Sequence, residues 1–188
     1  MTQMLGHNAT QPVPQPLTVE QYELLGQSGL LPERTELLKG VIVLMPPMGD
    51  EHVDAIATML TPLAVKFGTR ARITSQTPVR LEAAFGEPEP DFMLCKPESR
   101  GVANPEDVLL VIEISKSTYQ TDRDDKLPMY AQHRIPEVWI QNLNNNTLEV
   151  YRNPHLVSSG WTYDAPVVVQ QGMEVAPLAF VDDLLKWW

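Results

Sequence analysis

Cysteine is almost missing from this sequence, since Cys95 is the only one among 188 residues. A single thiol excludes an internal disulfide framework and a zinc site built on several cysteines. No run approaches the roughly 20 consecutive apolar residues that a membrane-spanning helix needs. Residues 1–18 have neither the basic nor the apolar region of a signal peptide. We therefore expect a cytoplasmic protein.

Positive charge is also scarce, with 14 Lys and Arg against 24 Asp and Glu, for a formal net charge of −10. Binding of nucleic acid phosphates needs locally dense Lys and Arg, so this balance argues against a protein that coats nucleic acid. It does not exclude an enzyme that meets phosphate through a bound cation. The carboxylates that hold such a cation add to the negative sum themselves.

Apolar residues are plentiful, at 43% of the chain, which is enough for one packed domain. Residues 1–16 are rich in Gln, Thr and Pro and predict a flexible arm, and residues 17–188 predict a single domain. Thr18 and Gln21 have the spacing of a capping box and predict a short first helix. Two apolar runs that meet at Lys39–Gly40 predict a hairpin.

The rest of the chain alternates between helix and strand patterns. Apolar residues at helical spacing predict helices over 50–67 and near 124–133. Strands are expected at 71–76, 78–82, 91–95, 108–115, 137–140, 147–151 and 166–169. The run at 108–115 is typical of a central strand covered on both faces. The order predicts an α/β fold with a central mixed sheet flanked by helices, preceded by an N-terminal helix and hairpin.

Glu113 is the residue that fits this pattern least, because it follows the apolar residues 108–112 in a strand that should be buried. A buried carboxylate is costly unless it is paired, protonated or bound to a metal. Asp91 opens another apolar strand, directly after the rigid segment 87–90. Two carboxylates at the ends of neighbouring strands can hold one hard cation through oxygen ligands. Such a cation could clamp a phosphate and lower the pKa of a bound water.

A lysine is the usual complement of such a site, because its charge stabilises the transition state or orients the attacking water. Lys116 is close in sequence, but strand alternation places it on the face opposite Glu113. Pro128 predicts a helix that begins close to Lys126, since proline is tolerated in the first turn of a helix. That turn could direct Lys126 toward Glu113, with Tyr130 one turn further along.

Several short motifs follow one another in a fixed order along the chain. They are Arg34–Leu37, Gly40, Met45–Pro47 with His52, Gln76–Leu81, Glu87–Asp91, Val111–Thr118, Asp122–Ala131 and Ile135–Ile140. Together they resemble the Uma-two endonuclease-like family of bacterial proteins, which belongs to the PD-(D/E)xK nuclease superfamily. The likeness covers roughly residues 17–185, which is nearly everything except the arm.

The resemblance implies a restriction-endonuclease-like core and a Mg²⁺-dependent endonuclease, with Mn²⁺ as a substitute ion. The substrate it implies is nucleic acid, DNA in particular. Asp91 and Glu113 would be metal ligands, Glu36 an additional carboxylate ligand, Lys126 the catalytic lysine and Gln76 a polar positioning group in the same cleft. A homodimer is plausible, because cutting two strands commonly takes two active sites.

Two alternatives to this function stay open. Ser115 stands where the parent superfamily keeps a lysine two residues after the glutamate. This departure indicates either a lysine that has migrated to position 126 or a weakened active site. A weakened site, together with the low content of basic residues, would suit a catalytically silent binding or regulatory module with the nuclease fold. A metal hydrolase for a small phosphorylated substrate is the third hypothesis.

Single residues also have alternative interpretations. Glu36 could simply pair with Arg34 or Lys39. His52 lies early in a predicted helix, where hydrogen bonding at the helix N-terminus would explain it as well as function does. Cys95 lies in an apolar strand and is expected to be a small core residue.

Overall fold

The structure is a computed structural model that describes residues 13–187. Residues 1–12 of the predicted arm, and Trp188, lie outside the described residues. Residues 13–16 are exposed and belong to no helix or strand, and the flexibility of the arm stays a prediction. Within residues 13–187, no helix has both the length and the apolar character needed to cross a membrane.

Helices and strands alternate along most of the chain. The helices are α1 (Val19–Gln27), α2 (Asp50–Phe67), α3 (Tyr119–Thr121), a π-helical segment (Asp122–Lys126) and α4 (Leu127–Gln132). Short 3₁₀ turns lie at Glu82–Ala84, Pro105–Asp107 and Leu178–Phe180. The first six strands are β1 (Thr35–Leu38), β2 (Val41–Leu44), β3 (Arg72–Thr74), β4 (Phe92–Cys95), β5 (Val108–Ser115) and β6 (Glu137–Asn142). The later strands are β7 (Thr147–Arg152), β8 (His155–Val157), β9 (Gly160–Thr162), β10 (Val167–Gln170), β11 (Glu174–Val175) and β12 (Leu185–Lys186).

Six of the strands form one central sheet in the order β10-β7-β6-β5-β4-β3. The β5–β6 pair is parallel and the other neighbours in this sheet are antiparallel, so the sheet is mixed. Helix α2 packs on one face through Met59, Leu63 and Phe67, and α4 packs on the other face through Met129 and Tyr130. The predicted α/β fold with a central mixed sheet flanked by helices is confirmed.

The N-terminal helix and hairpin also form as predicted. The Thr18 side chain accepts a hydrogen bond from the Gln21 backbone, and the Gln21 side chain accepts one from the Thr18 backbone, which completes the capping box. The hairpin of β1 and β2 turns at Lys39 and Gly40, whose φ angles are 52° and 78°. A Cβ at position 40 would lie 2.2 Å from the Pro16 side chain, so this turn requires glycine.

Strand β5 has two different faces, because successive side chains point to opposite sides of a sheet. Leu110, Ile112 and Ile114 pack in the core beneath α2. Val111 packs in the core beneath α4, and Glu113 follows it on that face. The alternation therefore turns the one acidic residue of β5 toward the helical segment that contains Lys126.

Several strands differ from the expectation. The predicted strand at 78–82 does not form; Val79 and Leu81 each make one isolated bridge, and a left-handed Phe85 closes a tight turn between Leu81 and Gly86. The β8–β9 hairpin was not predicted. Its residues are intermediate or exposed, so they carry little of the apolar periodicity that marks a strand.

The helical segment near Lys126 begins earlier than predicted. Pro128 does lie in the first turn of α4, as predicted, but α3 and the π-helical segment extend the helical structure back to Tyr119. A π-helical turn precedes the proline, which lacks the N–H that would bond to the carbonyl four residues earlier. That carbonyl, of Asp124, instead lies 3.3 Å from the Lys39 ammonium. A side chain from the hairpin thus satisfies the backbone group that the proline leaves free.

Candidate active site

One cavity of about 500 Å³ lies at the carboxyl end of β5, between the hairpin, the start of α2 and the π-helical segment. It is lined by all five of the predicted site residues, Glu36, Gln76, Asp91, Glu113 and Lys126. These residues are up to 90 positions apart in the chain. The fold therefore brings the five together, whatever their roles are.

Asp91 lies next to Glu113 because of the register of two antiparallel strands. Phe92 pairs with Ile112, and the same register continued by one residue sets Asp91 opposite Glu113. Asp91 Oδ2 accepts a hydrogen bond of 2.7 Å from the backbone N–H of Ile114. This bond fixes the carboxylate directly before the start of β4 and leaves Oδ1 directed at His52 of α2.

His52 makes the second contact of that carboxylate. Its Nε2 lies 2.9 Å from Asp91 Oδ1. The hydrogen bond to Asp91 raises the pKa of His52 above its usual value, against the opposing effect of burial. His52 therefore carries a positive charge at near-neutral pH more readily than a free imidazole does.

Glu113 is 2% exposed and has two polar neighbours. The Tyr130 hydroxyl donates a hydrogen bond of 2.6 Å to Oε1, and the Lys126 ammonium lies 3.5 Å from the same oxygen. Burial raises the pKa of Glu113 well above its usual value, although Lys126 lowers it. Asp122, Asp91 and Glu36 raise it further through repulsion, so negative charge is crowded at this point.

Lys126 is 2% exposed and lies at the centre of three carboxylates. Its ammonium is 3.1 and 3.0 Å from the two oxygens of Glu36, 3.4 Å from Asp122 Oδ1 and 3.5 Å from Glu113 Oε1. Burial lowers the pKa of Lys126, but the attraction of Glu113, Asp122 and Glu36 outweighs burial and raises it. The lysine is therefore held as a buried ammonium ion.

Asp122 was not predicted as a site residue. It is 3% exposed, and its Oδ2 accepts a hydrogen bond of 2.7 Å from the Ser115 hydroxyl. The available signal was its position four residues before Lys126, a spacing at which helical side chains meet. Ser115, two residues after Glu113, thus anchors the carboxylate that contacts Lys126.

The other candidates have contacts that separate them from this cluster. Gln76 has a left-handed backbone, with a φ of 49°, and its amide donates a hydrogen bond of 3.0 Å to Met48 Sδ. Lys116 also lines the cavity, where its ammonium pairs with Glu51 of α2 at 2.6 Å. Lys39 pairs with Asp125, whereas Glu36 pairs with Lys126. The alternative pairing of Glu36 with Lys39 is thus not observed.

The carboxylate groups that line the cavity are of the chemical type that binds a hard divalent cation. Among residues 13–187, no group of three or more His, Cys, Asp or Glu is arranged to hold a metal ion. The carboxylate oxygens of Glu36, Asp91 and Glu113 are nevertheless the ligand type that Mg²⁺ and Mn²⁺ prefer. Glu36 Oε2 is buried without a hydrogen bond, although the ammonium of Lys126 is close to it. A cation would relieve the repulsion that raises the pKa of Glu113.

Solved structures with the same fold exist. A crystal structure described as a “putative nuclease belonging to DUF820” from Anabaena variabilis matches with a TM-score of 0.65 and 16% sequence identity. The match covers 89% of this chain and 93% of that one. At this identity the likeness concerns the fold. A search of curated proteins gave no match.

A family model provides the assignment at the level of sequence. The model of Uma2, described as “Putative restriction endonuclease”, matches residues 19–183, which is most of the chain. Its span includes α1, the hairpin and every residue of the cavity described above. Together with the nuclease-like fold, the match supports a nuclease. The chain belongs to the Uma2 family of restriction-endonuclease-like proteins.

Proposed function

We propose that this protein is a divalent-metal-dependent endonuclease that hydrolyses phosphodiester bonds in nucleic acid, DNA in particular. The observation that carries the proposal is the cluster of buried charges on one cavity. Glu36, Glu113 and Lys126 are each 2–3% exposed, Asp91 is 8% exposed, and all four line the same 500 Å³ space. Burying four ionisable groups is costly, and sites that do so are candidates for catalysis.

Asp91 and Glu113 are the proposed ligands of a Mg²⁺ ion, or of Mn²⁺ in its place, with Glu36 as an additional ligand. When bound, the cation would supply Lewis acidity at the phosphate and lower the pKa of a bound water. Ile114 and Tyr130 hold the two carboxylates in place through the hydrogen bonds described above. Their orientation is therefore set by strand β5 and helix α4 before any substrate arrives.

Lys126 is the proposed catalytic lysine. A fixed ammonium beside the reacting phosphate stabilises the charge that develops in the transition state. Because Lys126 is buried, this effect is larger than at an exposed position, where the effective dielectric constant is higher. Gln76, on the cavity wall, is proposed to position the substrate. Arg34 and Lys116 also line the cavity and offer positive charge to an incoming phosphate backbone.

The proposal is tested by cleavage of plasmid and single-stranded DNA with Mg²⁺ and Mn²⁺. Wild type is compared with Glu113→Gln, Lys126→Ala and the surface control Lys39→Ala. We expect metal-dependent cutting that the first two substitutions abolish and the control retains. Cutting by Lys126→Ala but not by Glu113→Gln would keep the metal site and move the search for the lysine to Lys116. Cutting by Glu113→Gln would contradict the proposal.

A catalytically silent binding module is the second candidate. It is favoured by Ser115 at the usual lysine position and by the net charge of −10. On this alternative, folded wild type would cut neither DNA nor RNA under any metal condition. A homodimer also stays a prediction, and sedimentation of the protein with and without a DNA duplex would test it.

A further inference from the structure

The Lys126 ammonium occupies the space among the carboxylates that the proposed function needs for a metal. We infer that Lys126 is the resident cation of this site and that a divalent metal binds in competition with it. In this arrangement Asp122 is a positioning residue, which keeps the lysine in the site when the metal binds Glu113. The inference rests on the proposed metal-dependent function. It assigns new roles to Lys126, Asp122 and Ser115.

The competition follows from the distances around one nitrogen atom. Lys126 Nζ lies within 3.5 Å of oxygens of both Glu36 and Glu113, two of the three proposed ligands. An ammonium ion and a divalent cation on the same oxygens are a few ångströms apart and repel each other strongly at low dielectric constant. The side chain of Lys126 is buried, so water screens this repulsion little. Metal binding therefore requires the lysine to move away from Glu113.

Asp122 offers the lysine a partner that the metal does not use. Its Oδ2 is held by the Ser115 hydroxyl at 2.7 Å, which leaves Oδ1, at 3.4 Å from the ammonium, for Lys126. Asp122 and Lys126 are on the same π-helical segment, four residues apart, so they move together. When Glu113 binds the metal, the contact with Asp122 keeps the lysine next to the reacting centre.

Ser115 fixes this arrangement from the sheet. It is the last residue of β5 and is fully buried, so its hydroxyl has a defined position. At the same position a lysine would carry the charge directly on the strand. In this chain the strand instead supplies the anchor of Asp122, and the helix supplies the charge.

Affinity for Mn²⁺, measured by calorimetry at one pH and salt concentration, tests the inference without cleavage. Lys126→Met removes the ammonium but keeps the length of the side chain, and we expect about tenfold tighter binding or more from the lost repulsion. Asp122→Asn should weaken binding about threefold or more, because the lysine then relies on Glu113 and Glu36. When Asp122→Asn is added to Lys126→Met, Mn²⁺ affinity should change less than twofold relative to Lys126→Met alone, since no lysine remains for Asp122 to position.

Two surface variants control for charge alone. Lys39→Met and Asp125→Asn remove the partners of one exposed ion pair on the hairpin and the π-helical segment. Each should change Mn²⁺ affinity less than twofold. Near-ultraviolet circular dichroism checks that every variant is folded, since three buried carboxylates without a cation are destabilising. If Lys126→Met does not fold, Lys126→Gln, which keeps a hydrogen-bond donor, is used in its place.

The outcomes separate this inference from the proposed function. Equal or weaker Mn²⁺ binding by the Lys126 variant would overturn the competition and leave the metal site intact. An equal loss for Asp122→Asn with and without Lys126 would overturn the positioning role, because Asp122 would then act only as a nearby charge. Absence of Mn²⁺ binding in every folded version would overturn the inference and the metal-dependent function together.

Discussion

Two buried glutamates on neighbouring strands of the sheet have opposite surroundings. Glu137, at the start of β6, is 0% exposed and accepts hydrogen bonds from the Trp139 indole, the Arg152 guanidinium and the backbone of Leu178, all between 2.6 and 2.9 Å. Glu113, on β5, is equally buried but has a tyrosine hydroxyl and a shared lysine. It lines the 500 Å³ cavity, whereas Glu137 is not among the residues of that cavity.

The comparison shows that burial of a carboxylate is not a sufficient sign of function. Both oxygens of Glu137 are saturated by donors that the fold holds rigidly, and its charge is balanced by one arginine. Glu113 shares its single cation with Glu36 and Asp122, and its pKa is raised well above the usual value by burial. A carboxylate with a neighbouring cavity and incomplete charge compensation is the one that can take a ligand.

The largest expected effect is on cleavage. Glu113→Gln should reduce metal-dependent DNA cleavage by at least about 100-fold, as the loss of one electrostatic group at a reacting centre does. Glu137→Gln should retain the wild-type rate per folded molecule, because it does not reach the cavity. Initial rates of plasmid nicking, corrected for the folded fraction, check both. A large loss in Glu137→Gln with an intact fold would remove the distinction between the two glutamates.

Stability should respond in the reverse order. Glu137→Gln breaks the buried ion pair with Arg152 and should lower the free energy of unfolding by about 3 kcal/mol. This is near the lower end of the losses seen when buried ion pairs are broken, because Arg152 is partly exposed. Glu113→Gln should change it by less than about 1 kcal/mol or increase it, since sites built for ligands are often not optimal for stability. Urea unfolding of the two metal-free variants measures the difference. Equal losses would show that Glu113 is a structural carboxylate like Glu137.

A third glutamate gives a pH test. Glu87 is 8% exposed, and burial, with repulsion from Glu23, raises its pKa to about 7. A raised pKa means that the folded state favours the protonated form of Glu87. Protonation of Glu87 therefore stabilises the fold fully below about pH 4.5, and this stabilisation is lost as the pH rises through 7. The Tm of wild type should therefore fall relative to Glu87→Gln between pH 5 and pH 8, by about 2–4 °C per kcal/mol. Parallel Tm curves for the two proteins would contradict this assignment.

The sequence predicted the sheet and the convergence of the site with few errors. Strand β5 has the predicted bounds, 108–115, because its apolar residues form an almost continuous run that is typical of a buried strand. Asp91 and Glu113 lie at neighbouring strands, and Lys126 contacts Glu113, both as predicted, although the helical segment of Lys126 begins earlier than Pro128 indicated. Glu36, whose place came only from the family resemblance, also lies in the cluster. The catalytic and metal-binding roles of these residues stay predictions.

What the sequence did not reveal depends on contacts between distant segments. Asp122 looks like one of several acids in a polar stretch, and only the fold shows that Ser115 and Lys126 enclose it. Glu137 opens an apolar strand just as Asp91 does, so the sequence pattern cannot distinguish a carboxylate enclosed by the fold from one that lines a cavity. The Asp124 carbonyl of the π-helical turn contacts Lys39 of the hairpin, which lies 85 residues away in the chain.

The smallest expected effect concerns the donors that hold the two glutamates. Tyr130→Phe removes the hydroxyl that donates to Glu113 at 2.6 Å and should weaken Mn²⁺ binding about three- to tenfold, the cost of about one hydrogen bond to a charged group. Trp139→Phe removes the N–H that donates to Glu137 at 2.9 Å and should lower stability without changing Mn²⁺ affinity. Both are aromatic side chains 0–1% exposed, so they are matched in burial. If both variants lost Mn²⁺ affinity to the same extent, the loss would come from loosened packing of the sheet rather than from the Glu113 carboxylate. Glu113 and Glu137 would then differ only in degree.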